Sequence, residues 1–266
     1  MKKLTVCCLS AIGLGLLAVL LRILHILFYV DGVDCLSEEK GFSYWAFLAV
    51  ICIAVLFTFA LLILLKNRHF ISSSDSKFDI NRNIVPVFAI ASNVAYLGYS
   101  LINGGGFFNG TLSVKIVYIV LTVLYCGFCG YIIMCGENYL KNKLSAAVSL
   151  APVMFYLFKL IIVFIYYTSN HRDFNYKELI LSSVSLLLFF FYFAYHSFNG
   201  QYSKRLFVFG LFAIFAVSAT WIPPLLTIRS APVFNNDPIT LLLFALVDIS
   251  SAMFAYSVLR MYCKNK

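Results

Sequence analysis

Eight stretches of about 20 residues run through this chain with almost no charge in them. They cover roughly Leu4–Val30, Tyr44–Leu65, Ile84–Ile102, Val114–Cys135, Ser145–Thr168, Leu179–Phe198, Leu206–Thr227 and Ile239–Leu259. An α-helix rises about 1.5 Å per residue, so about 20 apolar residues cross a hydrocarbon core of about 30 Å. Each stretch therefore predicts a transmembrane helix. The third is the most dilute, because Ser92, Asn93 and Tyr96 interrupt it. Every other segment is short, which leaves no room for a soluble domain. The expected architecture is an all-α, polytopic bundle of eight spans forming one membrane domain over residues 1–266.

Composition excludes the water-soluble alternative. Charged residues make up 12% of the chain and hydrophobic ones 62%, whereas a soluble domain carries about a quarter charged residues. A soluble fold of this size could not hide so much apolar surface; a bilayer solvates it. The amino terminus, Met1-Lys2-Lys3 before an apolar run, imitates a secretory signal. The run is longer than the 7–15 residues of a signal core and no A-x-A site follows, so a retained first helix is expected. Of the eight cysteines, only Cys35 falls in a predicted outside loop, so the thiols form no disulfide framework.

The net charge of +9 reads as orientation rather than as nucleic-acid binding. With the amino terminus inside, thirteen cations fall on the inner side: Lys2, Lys3, Lys66, Arg68, Lys77, Arg82, Lys141, Lys143, Lys204, Arg205, Arg260, Lys264 and Lys266. Five fall outside: Lys40, Lys115, Arg172, Lys177 and Arg229. Cytoplasmic loops carry the excess of Lys and Arg, so both termini are expected in the cytoplasm of a cell membrane. The first outside loop is acidic, with Asp31, Asp34, Glu38 and Glu39. An internal repeat is a candidate as well. Arg22 and Lys159 each precede a tyrosine by seven residues, and Tyr139–Lys143 resembles Tyr262–Lys266. Two tandem halves of four helices would be parallel rather than inverted; chance likeness between apolar helices is the alternative.

Charge inside a bilayer costs about 2.5–3.5 kcal/mol per residue on insertion scales, so it must face protein or water. Arg22, Lys159 and Asp248 are the clear cases. From their distances to the predicted outer loops, all three lie about 14–15 Å deep. Asn93 and Ser218 share that depth, giving a polar layer drawn from five helices. Two readings stand. In one, Asp248 pairs with Lys159 or with Arg22 and fixes helix packing. In the other, the layer is a solvated site, and two cations against one carboxylate favour an anionic group. Arg22 is also long enough to snorkel outward. His25, three residues after Arg22, shares its helix face, as a packing hydrogen-bonder or a proton relay.

Other features carry less. Cys126-Gly127-Phe128-Cys129 places a C-x-x-C within the fourth span, read as small packing residues, with Gly127, Gly130, Gly13 and Gly15 expected to let helices approach. Pro223-Pro224 should break or kink the seventh helix. Gly104-Gly105-Gly106-Phe107-Phe108 reads as an interfacial loop, and Asn109-Gly110-Thr111 matches a glycosylation sequon. No Walker loop, G-x-S-x-G, H-E-x-x-H or metal-ligand histidine pair occurs, so no cofactor and no metal are implied. The first helix and its exit, Leu21-Arg22, Phe28-Tyr29, Asp31 and Gly41-Phe42, resemble uncharacterised multi-span membrane proteins of low-GC Gram-positive bacteria. That resemblance covers about the first sixth of the chain and implies no activity. The leading expectation is a small permease-like protein for a polar or anionic small molecule, sited at Arg22, Lys159, Asp248 and Asn93. The alternatives are a non-catalytic sensor or accessory subunit of a membrane complex, and an intramembrane lipid-modifying enzyme. The expected surroundings are the lipid bilayer, with a small-molecule substrate under the transport reading and no nucleic acid.

Overall fold

The computed structural model describes residues 2–29, 42–65, 84–103, 112–136, 139, 144–169, 176–199, 204–227 and 238–264. Among them the chain is helical, with no strand. The helices are α1 (Lys2–Tyr29), α2 (Phe42–Leu64), α3 (Ile84–Asn103), α4 (Leu112–Cys135), α5 (Leu144–Val148), α6 (Leu150–Ser169), α7 (Tyr176–Asn199), α8 (Lys204–Leu226) and α9 (Pro238–Lys264). Eight helical segments, with α5 and α6 acting as one, are long and apolar enough to cross a membrane. The chain is a multi-pass helical membrane protein. The acidic residues Asp31, Asp34, Glu38 and Glu39, the thiol of Cys35, residues 104–108 and the sequon at 109–111 lie outside the described residues.

The fifth span differs from the uninterrupted helix expected. It breaks at Ser149, between α5 and α6. Pro152 lies in the first turn of α6. It has no N–H to offer the Val148 carbonyl, and its ring crowds that carbonyl, so the helix cannot continue unbroken across this point. At the break the Ser149 N–H still reaches the Ser145 carbonyl, at 2.9 Å, and side chains add to that bond. Ser149 Oγ donates to the Ser145 carbonyl at 2.5 Å, and the Tyr139 hydroxyl lies 2.6 Å from Ser149 Oγ. Ser145 Oγ in turn donates to the Tyr139 carbonyl. Before this knot, Gly136 closes α4 at φ 49°, the left-handed conformation that glycine reaches without a Cβ clash.

Pro223 and Pro224 do not interrupt α8, which runs on to Leu226. They sit in its last turn, where few backbone bonds remain to be lost, and the Thr227 N–H reaches back to the Pro223 carbonyl at 3.0 Å. The helix is the most enclosed of the eight: 72% of its apolar window is buried, against 22% for α1. Its sequence is apolar on every side from Leu206 to Trp221, so it can be surrounded. It packs against α1, α2, α7 and α9, while α3 and α4 join through α9 and α6.

The expected close approaches at Gly13, Gly127 and Gly130 are not found. A Cβ built at any of the three meets nothing within 4 Å, because these positions do not lie at a helix crossing. Gly210 is where helices do meet: a Cβ there would stand 3.0 Å from Leu259 on α9. Cys126 and Cys129 are free thiols, and Cys129 is buried in the core. That core is mainly aromatic. Phe190 stacks on Tyr156 at 5.5 Å and on Phe254 at 5.8 Å, tying α7 to α6 and α9.

Candidate functional site

The deepest charges form one compact centre. Lys159, on α6, lies 2.5 Å from Asp248 Oδ1, on α9. Both side chains are withdrawn from the surface, at 1% and 0% exposure. An isolated charge in such a place is costly, and a pair is tolerated when its remaining donors and acceptors are satisfied. Asp248 meets that requirement. Trp221 of α8 donates its indole N–H to Oδ2 at 2.8 Å, and Ser182 of α7 approaches the same oxygen at 3.4 Å. On the other oxygen, the Tyr156 hydroxyl stands 3.3 Å away. Donors from α6, α7 and α8 thus converge on a carboxylate carried by α9.

Aromatic rings enclose the ammonium. Lys159 Nζ sits 4.0 Å from the centre of the Phe244 ring and 5.6 Å from that of Tyr156. The ring faces supply negative charge density to the cation on the sides that Asp248 does not cover. Trp221 packs edge-on against Phe244 at 5.5 Å, which fixes both the indole donor and the ring under the lysine. A second layer of hydroxyls backs the first. Ser251 Oγ accepts from Tyr156 at 2.6 Å, lies 2.8 Å from the Tyr125 hydroxyl and donates to the Val247 carbonyl. Tyr125 belongs to α4, so a fifth helix is joined to the centre.

Arg22 does not enter this centre. It pairs with Glu178, near the start of α7, at 3.1 Å. Its guanidinium also lies 5.3 Å from the Phe47 ring of α2. The arginine does not snorkel out to the surface: it ends on a carboxylate and stays 2% exposed. Glu178 corrects the charge count. Two buried cations meet two buried carboxylates, so the excess positive charge expected from Arg22, Lys159 and Asp248 alone is cancelled. His25 is buried beside Arg22 on α1, with its ring 5.3 Å from that of Tyr44.

The remaining predicted members are placed apart. Asn93 is buried, and its amide donates to the Ala89 carbonyl of its own helix at 2.8 Å. Its Oδ1 has no hydrogen-bond partner among the described residues. The preceding residue, Ser92, makes the link to α9 instead, through Ser250 Oγ at 3.3 Å. Ser218 faces a groove between α1, α8 and α9 and not Asp248. The expected polar layer therefore does not close on one point, because Ser218 and Asn93 make their contacts elsewhere. The residues missed were Glu178, Trp221, Tyr156, Tyr125, Ser182 and Ser251. Glu178 directly precedes an apolar run and could have been sought as the counter-charge that a buried arginine needs. The others carry no charge signal.

The two ion pairs are neighbours through shared helices. Glu178 and Ser182 lie four residues apart on α7, hence on one face. Thr220 Oγ1 donates to the Glu178 carbonyl at 3.0 Å, while the adjacent Trp221 holds Asp248. Among the described residues, no group of His, Cys, Asp and Glu is arranged to hold a metal ion. Comparison with protein families, with curated proteins and with solved structures finds no match. The site's chemistry therefore carries the functional reading.

Proposed function

We propose that this multi-pass membrane protein is a small permease-like carrier for a polar solute, with Lys159 and Asp248 as its binding and coupling groups. One observation carries this reading: a single buried carboxylate holds donors from three other helices. Packing glue needs only two helices. A carboxylate that ties four cannot take up a proton or a solute without releasing several of them together. That links its chemical state to the arrangement of the bundle, as alternating access requires. The solute would have little net charge. The centre is already neutral as a pair, and adding an anion or a cation to it would leave an unpaired charge in a medium of low dielectric constant. A zwitterion suits the pair best, since each end replaces one bond of the opened salt bridge.

The competing reading is a non-catalytic sensor or accessory module in which the centre only fastens helices. The completeness of Asp248's hydrogen bonds favours it. Thiol labelling separates the two. In a chain whose native cysteines are replaced, Ser182→Cys and Ser251→Cys place a probe beside Asp248. A carrier exposes these positions to a small, membrane-impermeant thiol reagent from at least one side of a sealed vesicle. A zwitterionic solute that enters the site slows that labelling. Complete protection of both positions from both sides overturns the carrier reading.

A further inference from the structure

A groove of about 360 Å³ runs down the outside of the bundle between α1, α8 and α9. Both α1 and α9 pack on α8, which forms the floor. Leu211 and Phe215 are buried there at 8% and 4% exposure. The rims stay open: Ile12, Leu16 and Tyr256 are more than half exposed. The groove thus opens sideways, toward whatever surrounds the bundle. Its register follows from two approaches, Gly15 of α1 to Phe215 and Gly210 of α8 to Leu259. Cys8, near the start of α1, and Arg260, near the end of α9, both line it and fall at the same end. From there it extends past Ser218 to Ile222.

We propose that this groove binds one acyl chain of an anionic phospholipid, with the phosphate held at Arg260. Three observations select this occupant. The lining is apolar along its length and ends in an exposed cation, the same order of chemistry as a lipid tail and an anionic headgroup. Leu211 to Ile222 spans eleven residues, roughly 16 Å, which is about half of a hydrocarbon core of about 30 Å and so the depth of one leaflet. The groove is open along one side, where Ile12, Leu16 and Tyr256 are more than half exposed, so a lipid chain can enter it from the surrounding bilayer. The lipid belongs to the leaflet that faces the basic end of α9, which the charge distribution assigns to the cytoplasm. The site is independent of the Asp248 centre.

The test uses the full chain purified in detergent, offered phosphatidylglycerol and phosphatidylcholine of equal tail length, with bound lipid counted by native mass spectrometry. The wild-type chain retains one phosphatidylglycerol in preference to phosphatidylcholine. Arg260→Gln reduces that preference about five-fold, the worth of one basic residue at an anionic membrane surface. Gly15→Phe fills the groove and abolishes retention of either lipid; Ser218→Leu, a milder filling, lowers it. Unchanged retention in both filled variants, an undiminished preference in Arg260→Gln, or a lipid-free dimer that assigns the groove to a second copy each overturns the proposal. Should the filled variants fail to fold, Cys8 decides. In a chain keeping only that cysteine, phosphatidylglycerol slows its reaction with a bulky maleimide, and an unslowed reaction overturns the site.

Discussion

Among the described residues, two buried ion pairs hold this bundle, and they are built differently. Lys159–Asp248 is closed on all sides: both carboxylate oxygens accept hydrogen bonds, and rings of Phe244 and Tyr156 flank the ammonium. Arg22–Glu178 is looser. The pair is longer, at 3.1 Å, and Glu178 Oε2 has no hydrogen-bond partner among the described residues. Glu178 also sits in the first turn of its helix and keeps 9% side-chain exposure. Burial alone therefore does not rank two salt bridges. What ranks them is how many of the polar atoms have partners, because each unmet one retains its desolvation cost.

The largest effect is expected at the closed pair. Asp248→Leu strands the Lys159 ammonium in a site with no counter-charge, at a cost of about 3–5 kcal/mol. Denaturant unfolding of the purified protein in mixed micelles measures it. The double variant K159M/D248L should recover most of that loss, since replacing a whole buried pair by apolar residues is often nearly neutral. It should nevertheless abolish the substrate-dependent protection of S182C, which a fastening role would not predict. A double variant as unstable as the single one would show that Trp221 and Ser182 need the carboxylate in its own right.

Arg22→Met is expected to cost less, about 1–2 kcal/mol, because the stranded Glu178 can turn toward the helix end and regain water. A loss equal to that of Asp248→Leu would break the ranking of the two pairs. Their coupling sharpens it. Glu178 and Ser182 share a face of α7, and Thr220 and Trp221 are adjacent on α8. A double-mutant cycle of Arg22→Met against Lys159→Met should give an interaction of about 0.5–1 kcal/mol. Strict additivity would make the two pairs independent clamps.

Which segments form long apolar helices was legible in the sequence, and how those helices face one another was not. Length and hydropathy located every span, because the bilayer imposes a fixed thickness on each. Rise per residue gave an expected depth; what the structure shows is that Arg22, Lys159, Asn93 and Asp248 are all buried within the bundle. Azimuth depends on packing. Ser218 and Asn93 were expected at the depth of Asp248 but are turned elsewhere, one to the groove and one to its own helix. Glu178 escaped notice for a different reason. The sixth span was drawn from Leu179, one residue too late, so its carboxylate was counted with the loop. The break at Ser149 was readable from Pro152, whose missing N–H falls inside the run.

Trp221→Phe sharpens the comparison at finer scale. It keeps an aromatic ring against Phe244 and deletes only the donor to Asp248 Oδ2. The charged acceptor makes this bond stronger than a neutral one, so a loss of about 1–2 kcal/mol is expected in the same unfolding measurement. Ser182, at 3.4 Å, is too distant to replace it in full.

The smallest effect is expected one shell further out. Tyr125→Phe removes a hydroxyl 2.8 Å from Ser251 Oγ and leaves its ring in the cluster with Phe155 and Phe190. Ser251 still accepts from Tyr156 at 2.6 Å and still donates to Val247, so no polar atom is left without a partner. Interhelical hydrogen bonds in membranes average about 0.6 kcal/mol, and a loss of that size is expected here. A loss above about 1.5 kcal/mol would mean that the hydroxyls polarise one another through Ser251 and Tyr156 up to Asp248, so that the closed centre extends to α4 and should be treated as five helices acting together.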